Sequence, residues 1–443
     1  MALLNPNLKP IEGFSRLTKE KQIEYLSSLF DNPARVRRLM ELFSLQDAEF
    51  QKRFDEFSEN TVASYPLPFG IAPNFNLNGS LYHVPMVIEE SSVVAAAANA
   101  AKFWLPRGGF HTRVISTTKK GQVHFLSDAQ PETLMPFEQD LENYLQTRLK
   151  PLTGRMENRG GGIQKIRIVP GIEKIENYFQ LDADFETVDS MGANFINSCL
   201  EEMATGLTEY FAQKLPDVRI EVIMSILSNY VPECLVEARI ETPVTLLAGI
   251  HPEISPEDFA RRFALAVEIS RQNVSRAVTH NKGIMNGVDA VVLATGNDFR
   301  AVEAGVHAYA ARDGHYRSLS SIDLSDGMFS YSLTLPLSLG TVGGLTGLHP
   351  MAAFALELLG NPSAQELMQI AAAAGLANNF SAVRALTTWG IQKGHMMMHL
   401  SNILNTLSAT ETEKVLAREH FNGHKVSYSA VELFLKKLRN AGA

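Results

Sequence analysis

Residues 109–229 alternate between strand-like and helix-like hydrophobic patterns, and this alternation restricts the folds open to the chain. The predicted elements are, in chain order, a strand at 122–127 entered through a hairpin turn at Lys119-Lys-Gly121, a helix from about Glu132 to Leu149, strands at 163–169 and 175–184, a long helix from near Asp189, and a strand at 218–227. In that order they form a β-α-β-β-α-β unit, the split βαβ or ferredoxin-like arrangement.

The residues before this unit combine a hairpin signal with a helix. Asn78-Gly79 lies between two apolar runs, a pattern typical of a β-hairpin. An Ala-rich helix is predicted after Ser91 and Ser92, two natural N-caps, and it extends to Trp104. Pro106-Arg-Gly-Gly109 breaks that helix, so we place the first domain boundary there.

The residues after the unit return to long helices and a few apolar strands. Val288–Ala294 is predicted to be a buried strand, followed by a loop ending at Asp298 and a helix over 299–312. The chain ends in helices at roughly 395–407, 410–419 and 428–440.

The expected fold class is therefore α+β. The β-α-β-β-α-β unit is inserted between two halves of a larger, mainly helical domain, and a helical segment follows. The expected boundaries are 1–107 and 232–389 for the two halves of the large domain, 108–231 for the small domain, and 390–443 for the C-terminal helical segment.

Composition and charge exclude several classes of protein. The 40 basic and 48 acidic residues give a net charge of −8 without a basic face, which disfavours nucleic acid as a partner. Two cysteines, Cys199 and Cys234, cannot build a disulfide framework, and no Cys/His cluster has zinc spacing. The most apolar stretch, Val93–Leu105, is too short to span a membrane, and the first residues do not resemble a signal peptide. We expect a cytoplasmic protein.

Common nucleotide and nucleophile motifs are missing. The chain has no GxxxxGK[ST] and no GxSxG, and no GxGxxG follows a strand. The glycines of Gly340–Gly347 have the wrong spacing for a dinucleotide turn. A dinucleotide, if bound, is therefore not held by a Rossmann turn.

Residues 276–287 concentrate polar side chains beside two glycines. Lys282, in a glycine-flanked loop, could approach a carbonyl as a point charge. The alternative is a solvated loop between a helix and a strand. Asp298 follows the predicted strand, where loops often form a site, or else it caps the next helix.

Three further segments contain candidate residues, each with a simpler structural explanation. Glu59 precedes a Pro-rich stretch and would otherwise be a surface carboxylate. Asp189-Ser-Met-Gly192-Ala-Asn194 opens a helix that could bind a pyrophosphate, or that is merely capped. His395 and His399 have the i, i+4 spacing of a metal pair but lack further ligands; an exposed His there would suit an acid that protonates a leaving group.

Together these segments resemble class II 3-hydroxy-3-methylglutaryl-coenzyme A reductase, the bacterial-type form of that family. The resemblance runs from about Glu59 to Gly394 and is strongest in four blocks: Thr279-His-Asn-Lys-Gly-Ile-Met-Asn-Gly287, Ala294-Thr-Gly-Asn-Asp298, Gly340-Thr-Val-Gly-Gly344 and, within 385–395, Gly390-Ile-Gln-Lys-Gly-His395.

The resemblance implies a reaction and a set of catalytic residues. The family reduces the thioester to mevalonate and free coenzyme A by two hydride transfers from a nicotinamide cofactor. Lys282 would polarise the thioester oxygen and then the aldehyde oxygen, and Asp298 would hold that lysine. Glu59 would donate protons in the hydride steps, and His395 would protonate the departing thiolate. No metal is implied.

The resemblance also implies binding residues and architecture. Arg276 and Asn286 match positions that contact the acyl-coenzyme A. The residues matching cofactor contacts are Asp189, Met191, Gly192, Asn194 and Asn229. The small domain would bind NADPH or NADH, with a preference for NADPH because Arg155 and Arg159 suit a phosphate. The family forms dimers with active sites between subunits, and the C-terminal helices form a flap.

Two other functions remain open from the residues alone. A lyase or hydrolase using Lys282 would turn over an acyl-coenzyme A without nicotinamide. A non-catalytic acyl-coenzyme A binding protein could keep the fold without the reaction.

Overall fold

A computed structural model of the protein describes residues 10–171, 175–390, 400–401, 403–421, 424 and 426–441. The chain divides into two compact units, 1–68 and 69–443. The first contains helices α1 (Lys19–Ser28), α2 (Pro33–Leu42) and α3 (Ala48–Asp55). Thr18, Asn32 and Asp47 cap them, each accepting a hydrogen bond from a first-turn amide.

The second unit begins with a hairpin. Strands β1 (Phe69–Leu77) and β2 (Ser80–Val87) pair antiparallel across Asn78-Gly79. Both turn residues have positive φ, 50° and 90°, as the tight turn between two twisted strands requires. Helix α4 (Val93–Trp104) follows, so the predictions of a hairpin and an Ala-rich helix are confirmed.

The predicted β-α-β-β-α-β order is found in the next segment. Its elements, with a short strand and a short helix beside them, are β3 (His111–Val114), β4 (Lys119–Ser127), α5 (Pro131–Leu134), α6 (Glu138–Glu157), β5 (Gly162–Pro170), β6 (Tyr178–Glu186), α7 (Ala193–Lys214) and β7 (Ile220–Ser228). The sheet has the antiparallel order β5-β6-β4-β7, and α6 and α7 bury one core against it.

One local prediction in this segment is wrong. Lys119-Lys-Gly121 is not a hairpin turn but the start of β4, paired with β6 on one side and, from Lys120 onward, with β7 on the other. Glycine is needed there for packing, because a Cβ on Gly121 would lie 2.6 Å from Leu200 Cδ1. A glycine in a central strand therefore marks the close approach of α7.

The rest of the chain contributes a second antiparallel sheet and the large helices. The remaining elements are β8 (Leu235–Pro243), α8 (Pro256–Gln272), α9 (Val274–Ala294), α10 (Phe299–Ala310), β9 (Ser320–Asp323), β10 (Met328–Pro336), α11 (Leu345–Leu348), α12 (Pro350–Leu358), α13 (Ala364–Thr387), helical residues at 400–401 and 403–406, α14 (Glu411–His420) and α15 (Tyr428–Ala441). The sheet order is β3-β8-β10-β9.

The predicted strand at Val288–Ala294 is wrong: these residues form the last two turns of α9. A short apolar run does not distinguish a buried strand from a buried helix. Asn273 is the N-cap of this helix, and its side chain accepts a hydrogen bond from the Arg276 amide at 3.0 Å. Lys282 is therefore on a helix and not in a loop.

Helix α9 packs tightly against α13, which is mostly buried. A Cβ on Gly287 would lie 2.2 Å from the carbonyl oxygen of Ala374, so glycine is required at this crossing. The structure is thus mixed α/β with antiparallel sheets. Within the described residues, no helix is both long and apolar enough to cross a membrane.

Candidate functional site

Lys282 forms an ion pair with Glu90, which follows strand β2. The two residues are 192 positions apart in sequence, and the packing of α9 beside β2 brings them together. The side chains of Lys282 and Glu90 are 58% and 43% exposed, so both can be reached by a substrate. This pair places a cation beside a carboxylate at the surface, and together the two groups can polarise a carbonyl oxygen and transfer a proton to it.

Other polar residues of α9 lie on the same helix face as Lys282. Asn286 is four positions further along and Asp289 seven, a spacing that places all three side chains in one stripe. Arg276 lies in the first turn of α9, six positions before the lysine and therefore about a third of a turn away from that stripe. The structure thus groups Asn286 with Lys282 more closely than it groups Arg276.

Asp298 is the N-cap of α10. Its carboxylate accepts hydrogen bonds from the amides of Arg300 at 3.1 Å and Ala301 at 3.2 Å, and from Arg300 Nε at 3.4 Å. Within the described part of the chain, Lys282 is not among its partners. The capping role is therefore present, and the role of holding Lys282 stays a prediction.

Glu59 and His395 are the other two predicted catalytic residues. Glu59 lies exposed on the turn after α3, in the first compact unit. His395, with His399, lies outside the described residues. Their roles stay predictions.

Glu90 is the residue that sequence reasoning missed. The available signal was the pair Glu89-Glu90, which stands between the second strand of the predicted hairpin and the Ala-rich helix. Strand ends are common positions for functional side chains. Nothing local, however, links Glu90 to a lysine 192 positions away.

Asp289, the last of the three residues on the Lys282 face of α9, lies near two other carboxyl groups. Burial, together with the neighbouring carboxylates of Glu303 and Glu89, raises the pKa of Asp289 to about 8. The Asp289 Oδ1 atom is buried and lacks a hydrogen-bond partner among the described residues. Burial first, and then repulsion by the two adjacent carboxylates, disfavours the charged form of Asp289 and favours the protonated side chain at neutral pH.

The predicted cofactor loop, Asp189–Asn194, enters α7 in a shape that depends on Gly192. Gly192 has φ +90° and is the N-cap, and a Cβ there would lie 2.5 Å from Thr187 Cγ2. The Asp189 carboxylate accepts a hydrogen bond from the Ala364 amide at 2.8 Å, and its carbonyl oxygen accepts one from the Thr341 amide at 2.8 Å. Asp189 thus ties the loop to its surroundings.

This loop borders a cleft that also contains Asn229. The cleft is lined by Lys119, Lys120, Met191, Ala193, Ile196, Leu227, Ser228, Asn229, Val231, Ala301, Val302, Gly305, Pro336 and Ser338. No side chain caps α7, so its first amides can bind an anion; Asn194, in that first turn, is exposed. The structure therefore brings Met191 and Asn229 together beside a helix N-terminus whose amides can bind an anion. Within the described ranges, no group of three or more His, Cys, Asp or Glu could hold a metal ion.

Comparisons with known proteins agree on one family. The family model described as hydroxymethylglutaryl-coenzyme A reductase matches residues 20–400. The 3-hydroxy-3-methylglutaryl-coenzyme A reductase of Archaeoglobus fulgidus is 34% identical over 420 residues, covering 91% of this chain and 88% of the relative. A probable 3-hydroxy-3-methylglutaryl-coenzyme A reductase of Borreliella burgdorferi is 32% identical, covering 98% of each.

A solved structure shows the same similarity in three dimensions. It is the class II 3-hydroxy-3-methylglutaryl-CoA reductase from Streptococcus pneumoniae, bound to NADPH in open conformations. The two structures superpose with a TM-score of 0.71 at 35% sequence identity. The match covers 86% of this chain and 100% of that chain.

The raised pKa of Asp289 predicts how the Asp289→Asn substitution changes stability with pH. Between about pH 4 and 8 the unfolded state releases this proton while the native state keeps it, so the wild type loses stability as pH rises. Asn cannot ionise, so the free energy of unfolding of the variant should rise relative to that of the wild type as pH increases, by at most about 1.4 kcal/mol per pH unit. Urea unfolding at pH 5 and pH 8 measures this. A difference between the two proteins that is the same at both pH values would contradict a protonated Asp289.

Proposed function

This chain belongs to the hydroxymethylglutaryl-coenzyme A reductase family, and we propose that it reduces 3-hydroxy-3-methylglutaryl-coenzyme A to mevalonate and coenzyme A with two equivalents of NADPH or NADH. The observation that carries the proposal is the accessible Lys282–Glu90 pair on α9, inside the segment that matches the family. The cation of this pair can stabilise the negative charge that develops on a carbonyl oxygen during reduction.

The reaction needs two hydrides and two protons. The reduced nicotinamide, when bound, supplies the hydride in each reduction. After the first hydride reaches the thioester carbon, the oxygen takes a proton from the Lys282 ammonium, which the Glu90 carboxylate orients. The hydroxyl then returns its proton to the Lys282–Glu90 pair as the carbon–sulfur bond breaks, giving an aldehyde and the coenzyme A thiolate, which His395 is proposed to protonate. The second hydride and a second proton from the same pair convert the aldehyde to the alcohol.

We assign the proton-relay role to Glu90 and not to Glu59. Glu90 is in direct contact with the Lys282 ammonium, so it can return a proton from water to the lysine after each transfer. Asn286, four positions after Lys282 on α9, would hydrogen bond the acyl group beside the lysine. Arg276 and Asp298 are proposed to hold the coenzyme A moiety and the lysine, respectively, as the family resemblance implies.

The dinucleotide is proposed to bind the cleft at the N-terminus of α7. The uncapped first-turn amides suit its phosphates, and Gly192 leaves space that a side chain would fill. Met191 and Asn229 line the cleft, while Asp189 fixes the loop. The exposed Arg155 and Arg159 favour NADPH, because arginine pairs well with a 2′-phosphate.

The domain arrangement follows the same proposal. Residues 108–231, with the β5-β6-β4-β7 sheet, would be a cofactor domain inserted between 1–107 and 232–389, which bind substrate. Residues 390–443 would form a helical flap carrying His395, whose imidazolium protonates the thiolate before it can re-attack the aldehyde. A homodimer with active sites between subunits, in the cytoplasm, completes the proposal.

Substitution of each glutamate tests which one relays the proton. Glu90→Gln keeps the shape of the side chain but cannot carry a proton, so kcat with 3-hydroxy-3-methylglutaryl-coenzyme A and NADPH should fall roughly 100-fold or more. Glu59→Gln is measured in parallel, and Glu132→Gln, an exposed residue of α5, serves as the matched control. A larger loss in Glu59→Gln than in Glu90→Gln would overturn the assignment to Glu90.

The role of His395 predicts a difference between the two half-reactions. His395→Gln should lower the rate of thioester reduction roughly 100-fold while leaving mevaldehyde reduction within a few-fold, because no thiolate leaves in the second step. His399→Gln, four positions later, is the control and should affect neither. Stopped assays with each substrate measure the two rates. Equal losses in both half-reactions would rule out thiolate protonation by His395.

A further inference from the structure

Lys119 is a buried lysine at the edge of the cleft, where β4 begins. Its side chain lies among buried groups, and the residue is only 5% exposed. The ammonium donates hydrogen bonds to Thr187 Oγ1 and, at 2.7 Å, to the carbonyl oxygen of Ser190. Both partners are uncharged and belong to the loop that enters α7.

The charge of Lys119 is not offset by an ion pair. Within the described part of the chain, no carboxylate lies within 4.0 Å of its ammonium. Burial therefore lowers the pKa of Lys119, and the charges of Glu186 and Asp189, which act from further away, only partly oppose that shift. The thiol of Cys234 does not supply a negative charge, because burial raises its pKa to about 11 and its Sγ donates to the Leu337 carbonyl. A buried cation without a close counter-charge is unfavourable.

The next lysine on the strand provides a direct contrast. Lys120 also lines the cleft, but its ammonium pairs with Asp184 at 2.9 Å and with Glu233 at 3.3 Å. Lys120 is therefore neutralised within the protein. Lys119 makes two hydrogen bonds and has three N–H groups, so one donor is left for a ligand in the cleft that it lines.

The lysine and the helix N-terminus favour the same kind of ligand. Lys119 binds the Ser190 carbonyl two positions before Gly192, the N-cap of α7. The positive end of the helix and the ammonium thus act together at one edge of the cleft. A diphosphate would satisfy both, since it carries two negative charges and several acceptor oxygens.

We propose that Lys119 is a binding residue for the pyrophosphate of the dinucleotide and that bound cofactor provides its missing counter-charge. The inference rests on the proposed function, because it takes the cleft to be the cofactor site. The pyrophosphate is common to NADPH and NADH, so Lys119 sets affinity for both and does not choose between them.

Two variants that remove the charge test this proposal. Lys119→Met removes the charge and the hydrogen bonds, whereas Lys119→Gln removes the charge but keeps an N–H for the Ser190 carbonyl. Titration of the full chain with NADPH and with NADH, followed by nicotinamide fluorescence without acyl-coenzyme A, gives Kd directly. Both variants should bind both cofactors roughly tenfold to hundredfold more weakly. Lys165→Met, an exposed lysine of β5, is the control and should bind as the wild type.

Thermal unfolding separates a ligand-binding role from a purely structural one. Thr187 Oγ1 already donates to the Ser190 carbonyl at 2.6 Å, so both groups keep a partner without the lysine. The Tm of cofactor-free Lys119→Met should therefore equal or exceed that of the wild type, while the increase in Tm on adding NADPH shrinks.

Several results would overturn the assignment of Lys119. These are a Kd within twofold of the wild type, normal binding by Lys119→Gln, a loss confined to NADPH, or a drop of several degrees in the cofactor-free Tm of both variants. The proposed function fails differently: a wild type that binds NADPH but does not oxidise it with 3-hydroxy-3-methylglutaryl-coenzyme A would refute the reductase and leave the binding result intact.

Discussion

The close crossing of α9 and α13 is the contact on which the candidate site depends. Gly287 lies against the backbone of Ala374, and a Cβ on Gly375 would lie 2.8 Å from Val288 Cγ2, so small residues on both helices let their backbones approach. The buried Asn379 side chain donates to the His280 carbonyl at 2.8 Å and fixes the register of the two helices. Because α9 is held in this way, Lys282 and Asn286 project from a rigid support instead of a loop.

Much of the fold could be predicted from local sequence. Asn78-Gly79 needs positive φ at both positions, and the structure has it. The order of strands and helices in 119–228 follows from periodicity, because the strands and helices of this segment pack around a single core. The failures occur where the local pattern does not decide the structure: residues 288–294 are apolar except for Asp289, and Gly121 is a packing glycine in a strand.

The candidate site could be predicted only in part. Lys282 can be recognised in the sequence because polar residues and glycines surround it. Met191 and Asn229, both predicted to contact the cofactor, line one cleft in the structure. Glu90 could not be found in the same way, because its contact with Lys282 joins residues far apart in the chain. Lys119 was assigned to a turn, and only its burial and its partners reveal an unpaired charge.

The central claim is a reduction of four electrons, and the ratio of cofactor oxidised to thiol released tests it most directly. Purified protein is mixed with 3-hydroxy-3-methylglutaryl-coenzyme A and NADPH, and separately with NADH, while nicotinamide absorbance and free thiol are followed together. The account predicts two cofactors oxidised for each thiol released. Thiol release without cofactor oxidation would contradict it and indicate a hydrolase or lyase, and no change in either signal would indicate a protein that only binds acyl-coenzyme A.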